Sequence, residues 1–347
     1  MHDSSWSANV RDPDGPSTAF AMGMISFLIV DIVILILQAT SIIFNGVILY
    51  MFISAGHLRQ NSSFRFILFL TATDFLHAVL TLPYVICLTA QWNDTYIDLD
   101  PTYIMISSTP LTAQLKINLT LTIALALERC LALYFPVTYR RLPSYKYAVT
   151  ALTVGCLLAA LDLTIEFMLA PFKRVPNCAA IGCFVSDQFR YYWGTSNMVM
   201  GVIVVVLTLL FMGKLQLIQR HSRVGQQRAE RDTSRFRTAN NISLGILIVS
   251  LMFVTIPSIC VGFVEMLGYS IFKTVGPFYI VGLLSVGATN SFIYVFLNRD
   301  MRQIWKSAVL CRKMEKKVFT TTRVVSSFKM DGDAQTGWRK YSVVIKY

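Results

Sequence analysis

The chain has 347 residues, of which 54% are hydrophobic and only 14% charged, with a mean hydropathy of +0.55. An ordinary water-soluble domain carries about a quarter charged residues, so a bilayer is the expected solvent. The formal net charge of +12 does not point to nucleic acid, because Lys and Arg fall between apolar runs and in the tail, as membrane topology requires.

Apolar runs recur from residue 20 to residue 297 without a polar break long enough for a second domain. They predict an all-α, integral membrane seven-helix bundle. An extracellular tail is expected over 1–23, the bundle with a short juxtamembrane helix over 24–311, and a disordered cytoplasmic tail over 312–347. Met1 to Ser17 are polar and lack the basic start, short apolar stretch and cleavage site of a signal peptide, so the first span is expected to serve as an uncleaved signal. Roughly 20 apolar residues cross the hydrocarbon core. Seven runs satisfy this: span one at 24–54, span two at 64–90, span three at 103–135, span four at 147–170, span five at 192–214, span six at 241–267 and span seven at 275–297.

The connections set the orientation. Arg59 and Arg65, then Arg140, Arg141 and Lys146, then seven Lys and Arg residues between Lys214 and Arg237, and the basic tail all lie on one side. The opposite side holds Asp3, Asp12, Asp14, Asp94, Asp98, Asp100 and Asp187. The basic side is expected to be the cytoplasm and the N-terminus outside. After span seven, Met301, Ile304, Trp305, Ala308 and Val309 recur at helical spacing, which suits a helix along the membrane surface. Cys311 at its end is a candidate for palmitoylation, with an unmodified thiol as the equal alternative.

Polar groups inside a membrane are costly and therefore informative. They are Asn45 in span one, Asp74 in span two, Glu128 and Arg129 near the cytoplasmic end of span three, and Asn290 and Tyr294 in span seven, accompanied by Pro257 in span six. In this order they resemble the rhodopsin-like receptors: Glu128-Arg129-Cys130 in place of Asp-Arg-Tyr, and Asn290-Ser291-Phe292-Ile293-Tyr294 in place of Asn-Pro-x-x-Tyr. Finer features are similar to the nematode serpentine chemoreceptors, class bc. These are Glu128-Arg129 followed by Ala132, Tyr134, Phe135 and Pro136, the cysteine pair after Pro176, Tyr191-Tyr192-Trp193, Ala239-Asn240 and Gly276-Pro277.

The resemblance implies a G protein-coupled receptor with a heterotrimeric G protein and an extracellular ligand as partners, at the plasma membrane and in a sensory cilium. It implies that Arg129 holds the inactive state and meets the G protein after span six swings outward, with Glu128 as its neighbouring partner. It also implies a polar cluster of Asn45, Asp74, Asn118 and Asn290, holding either a sodium ion or a proton on Asp74. Asn118 lies eleven residues before Arg129, about three turns, on the same face.

The departures matter as well. Span three lacks the usual cysteine at its outer start, so Cys178 and Cys183 on the oxidising side either close a small loop or remain two thiols. Thr255-Ile256-Pro257 stands where many relatives carry Cys-Trp-x-Pro. Lys116, in mid-span three, needs a partner, and Asp162 or Glu166 of span four reaches its height. This is either a lock between the two spans or the floor of a ligand pocket, with a Lys reaching into a wet cavity as the alternative.

Other classes fit less well. An opsin would need a Lys in span seven, and residues 278–297 contain none. A transporter commonly shows internal repeats, of which the sequence has none, and a channel of the insect odorant-receptor type would place the N-terminus inside, against the Lys and Arg distribution. An enzyme would show clustered His, Asp or Glu at catalytic or metal spacing, whereas His2, His57, His77 and His221 are scattered. The expected function is a chemosensory receptor, with a receptor for an endogenous peptide or transmitter as the alternative. Asn93-Asp94-Thr95 is the one glycosylation sequon expected outside.

Overall fold

The computed structural model describes residues 16–54, 64–93, 96–141, 143–176, 178, 180–222, 230–268, 278–298 and 301–303. Among them the chain is helical with no strand, and seven helices are long and apolar enough to cross a membrane. In lipid this is the expected outcome, because a helix satisfies its backbone polar groups internally and leaves no open edge.

Span one runs Pro16–Ser54. Its buried positions Asp31, Ile34, Gln38, Ser41, Asn45, Ile48 and Phe52 recur every three or four residues, whereas Ile29, Ile32, Ile36 and Ile43 are exposed. The polar residues of the span therefore lie on the stripe facing the protein, and Ile29, Ile32, Ile36 and Ile43 face the hydrocarbon. Span two is two segments, Arg65–Leu80 and Leu82–Ala90, separated at Thr81. Pro83 has no N–H for the preceding turn, and the Thr81 hydroxyl donates to the His77 carbonyl at 2.7 Å beside the break.

Span three, Pro101–Tyr134, is the central helix and is buried over most of its length. Asp100 caps it, accepting from the Thr102 N–H at 2.9 Å, and Pro101 occupies the first turn, where a missing N–H costs nothing. The internal Pro110 leaves the Ile106 carbonyl without its helical donor, and the Thr109 hydroxyl supplies one at 2.9 Å. A short helix, Pro136–Arg141, leads to span four, Ser144–Leu169. Span four buries one face: Ala148, Ala151, Gly155 and Ala159, then Asp162 and Glu166. A Cβ on Gly155 would lie 3.3 Å from the Ile117 Cα, so this small-residue seam draws span four close against span three.

Span five is Asp187–Ser222, longer at both ends than the apolar run, because helical hydrogen bonding continues past the hydrocarbon boundary. Span six comprises Glu230–Ser250, a π-helical turn at Leu251–Thr255, and Ile256–Met266. Span seven is Phe278–Leu297. Span one packs on spans two and seven, span three on spans four and five, and span five on span six. Two apolar clusters fill the bundle. One, around Leu115, Phe184, Trp193 and Leu284, occupies the N-terminal half of span three; the other, around Leu125, Phe211, Leu247 and Tyr294, occupies its C-terminal half.

The segment before span five folds into the first cluster, where Phe184 is fully buried. Cys178 and Cys183 are disulfide-bonded. Arg190 donates to the Gly182 and Val185 carbonyls at 2.7 Å each and pairs with Asp187. The Ile181 N–H donates to the Tyr84 hydroxyl at 3.3 Å. Residues 301–303 are helical and Met301 is buried. The rest of the juxtamembrane segment with Cys311, the tail, Asn61 and Gly276-Pro277 lie outside the described residues.

Candidate functional site

Three polar sites lie along span three. At its C-terminal end Arg129 is buried, with Nη2 2.7 Å from Glu128 Oε2. The short helix that follows returns Tyr139, whose hydroxyl donates to Glu128 Oε1 at 3.4 Å. Burial, with Glu128 beside it, pushes the Tyr139 hydroxyl up, so it stays a neutral donor. Tyr147 of span four donates to the Ala124 carbonyl at 3.0 Å and ties the same region together.

Midway, Asp74 accepts from Gln114 Nε2 at 2.9 Å and faces the Asn290 side chain. Asn45 donates to the Ser41 carbonyl at 2.9 Å and accepts from the Ser291 hydroxyl at 2.8 Å, linking spans one and seven. A Cβ on Gly287 would lie 3.2 Å from the Asp74 Cβ, so this glycine lets span seven approach span two. Gln114, rather than Asn118, reaches Asp74. Asn118 is buried, and its amide hydrogen-bonds to no described protein atom. Tyr294 is fully buried and faces Thr71. Sequence reasoning missed Gln114 and Ser291. Gln114's position one turn from Asn118 was the available signal, and Ser291 lies next to Asn290.

At nearly the same height but on the other side of span three, Lys116 Nζ sits 3.1 Å from Asp162 Oδ2, both side chains almost fully buried. Lys116 also donates to the Ser196 hydroxyl at 2.9 Å, and Tyr192 donates to Asp162 Oδ1 at 3.0 Å. The Trp193 indole faces the same carboxylate. Spans three, four and five thus share one network. Glu166, one turn along span four, is 1% exposed. Its carboxylate makes no hydrogen bond, and the Thr112 hydroxyl is directed towards it. Ser196 and Tyr192 were also missed by sequence; their spacing of one turn at the start of span five was the only signal.

Seven apolar spans enclosing an axial row of buried polar residues define a multi-pass membrane protein of the seven-helix receptor type. The model of the serpentine type seven-transmembrane G protein-coupled chemoreceptor family Srbc matches residues 22–299, and the chain belongs to that family. No curated protein matches the chain. The family is one of receptors rather than enzymes, and it gives this chain the general character of a chemosensory receptor.

Proposed function

We propose that this chain is a plasma-membrane chemoreceptor, with its N-terminus outside, that converts binding of an extracellular chemical into activation of a heterotrimeric G protein. The observation that carries the reading is the buried Arg129–Glu128 pair at the basic end of span three, secured by Tyr139. A guanidinium at a membrane boundary is held there by its carboxylate. When span six moves outward, Arg129 turns from Glu128 to the G protein.

Pro257 supports that movement. It cannot donate to the carbonyl four residues before it, and the π-helical turn at Leu251–Thr255 ends just before it, which makes span six easiest to bend at this point. In the polar cluster, Asp74 keeps one oxygen without a protein hydrogen bond. Together with the nearby amides this is a donor set that fits sodium, which would supply a counter-charge there; no step of the mechanism depends on it.

The test is Arg129→Ala. The variant is expected to reach the cell surface at close to the wild-type level and to lose ligand-dependent G-protein activation, read as nucleotide exchange. Full signalling from a well-expressed variant overturns the assignment. Orientation is tested by glycan mapping. Glycan is expected at Asn93, which is exposed in the connection between spans two and three, and at no other sequon. Modification at Asn61 would reverse the topology.

A further inference from the structure

We infer that Glu166 is the anchoring group for the ligand, and that the ligand is a small molecule carrying a protonated amine. The inference rests on the receptor reading above and names the chemistry its binding site selects. The buried face of span four consists of small residues from Ala148 to Ala159 and then changes abruptly to two carboxylates, Asp162 and Glu166. The small residues serve close packing on span three, at Gly155 above all. The carboxylates do not serve that packing.

Asp162 is fully provided for. Lys116 neutralises it, Tyr192 donates to it, and Ser196 takes another of the Lys116 donors. Glu166 lies one turn away on the same face, and its two buried oxygens receive no hydrogen bond. When Glu166 is ionised, Lys116, Asp162 and Glu166 together carry one negative charge in excess. A buried carboxylate without a counter-charge is strongly disfavoured, and an ammonium group brought by a ligand supplies both the charge and the missing donors.

The surroundings fit such a ligand. The Thr112 hydroxyl faces Glu166. Tyr192 and Trp193 belong to the neighbouring Asp162 network, one turn from Glu166 along span four. The Cys178–Cys183 segment, held by Arg190, folds into the same apolar cluster.

The experiment uses the full chain in lipid nanodiscs and reads its thermal unfolding midpoint. The probes are small alkylamines and arylalkylamines, each paired with the alcohol and the carboxylate of the same carbon skeleton. Binding to the folded state raises the midpoint increasingly as the ligand concentration exceeds its Kd. At least one amine is expected to raise it in a concentration-dependent way, its alcohol and carboxylate partners not. Glu166→Gln, which keeps the shape and removes the charge, is expected to abolish the rise. Glu166→Asp is expected to retain it at roughly tenfold higher amine concentration.

Three results overturn the inference: no amine shifts the midpoint of the wild type, an uncharged partner shifts it equally, or Glu166→Gln keeps the response. If Glu166→Gln does not fold, the comparison among probes on the wild type and the Glu166→Asp titration still decide the matter. The readout needs no G protein. Its failure leaves the coupling role of Arg129 standing, and a failure of the Arg129 test leaves the amine site standing.

Discussion

Lys116→Asp and Asp162→Lys are each expected to remove most of the receptor from the cell surface, and the double exchange to restore it. The two side chains meet at 3.1 Å with almost no exposure. Removing one partner of a buried pair typically costs about 3–5 kcal/mol, because the other charge stays buried without compensation. Native proteins are stable by only about 5–15 kcal/mol, so the loss is enough to divert the chain to quality control.

Lys116→Asp should be the more severe of the two. It gathers three carboxylates within one turn of span four, since Glu166 is also buried there. The exchanged pair keeps useful neighbours. Ser196 now donates to a carboxylate at position 116, and the Tyr192 hydroxyl accepts from an ammonium at position 162, in place of the bonds at 2.9 and 3.0 Å. Surface labelling of the four chains checks the prediction. Normal expression and signalling by both single variants would show that the pair has no structural or functional consequence.

The second large effect is expected for Gly282→Ala. A methyl group there would lie 2.4 Å from the Phe253 carbonyl oxygen, closer than any real contact allows. Phe253 is four residues before Pro257, which has no N–H to offer it, and it lies within the π-helical turn. Span seven therefore packs Gly282 directly against the Phe253 carbonyl of span six. The obstacle is backbone and cannot rotate away, so spans six and seven must separate, at a cost at or above the roughly 1–3 kcal/mol usual for overpacking.

Gly213→Ala is the matched control. No atom lies within 4 Å of a Cβ at that position, and exchanging glycine for alanine inside a helix is favourable by about 0.5–1 kcal/mol. In detergent, Gly282→Ala is expected to unfold several degrees below the wild type, and Gly213→Ala no lower than it. Equal midpoints for both variants would remove the close contact between spans six and seven from the account of the fold.

The sequence by itself determined the number of spans, their approximate limits and the family. The thickness of the hydrocarbon core and the absence of hydrogen-bond partners within it leave few arrangements for apolar runs of this length. It also determined which residues carry the polar interior, since Asn45, Asp74, Lys116 and Asn290 have no low-cost position facing lipid. Helical rise placed Lys116 at the height of both Asp162 and Glu166, yet did not choose between them.

That choice belonged to the tertiary structure, because a span's rotation and tilt are set by what it packs against. The small-residue seam through Gly155 fixes how span four lies on span three, and the structure then pairs Lys116 with Asp162 while Glu166 receives no hydrogen bond. The same dependence brings Gln114 rather than Asn118 to Asp74, and Ser291 to Asn45. It also sets the Phe253 carbonyl against Gly282. Each of these contacts joins different spans, and no periodicity within a single helix encodes the azimuth of its neighbour.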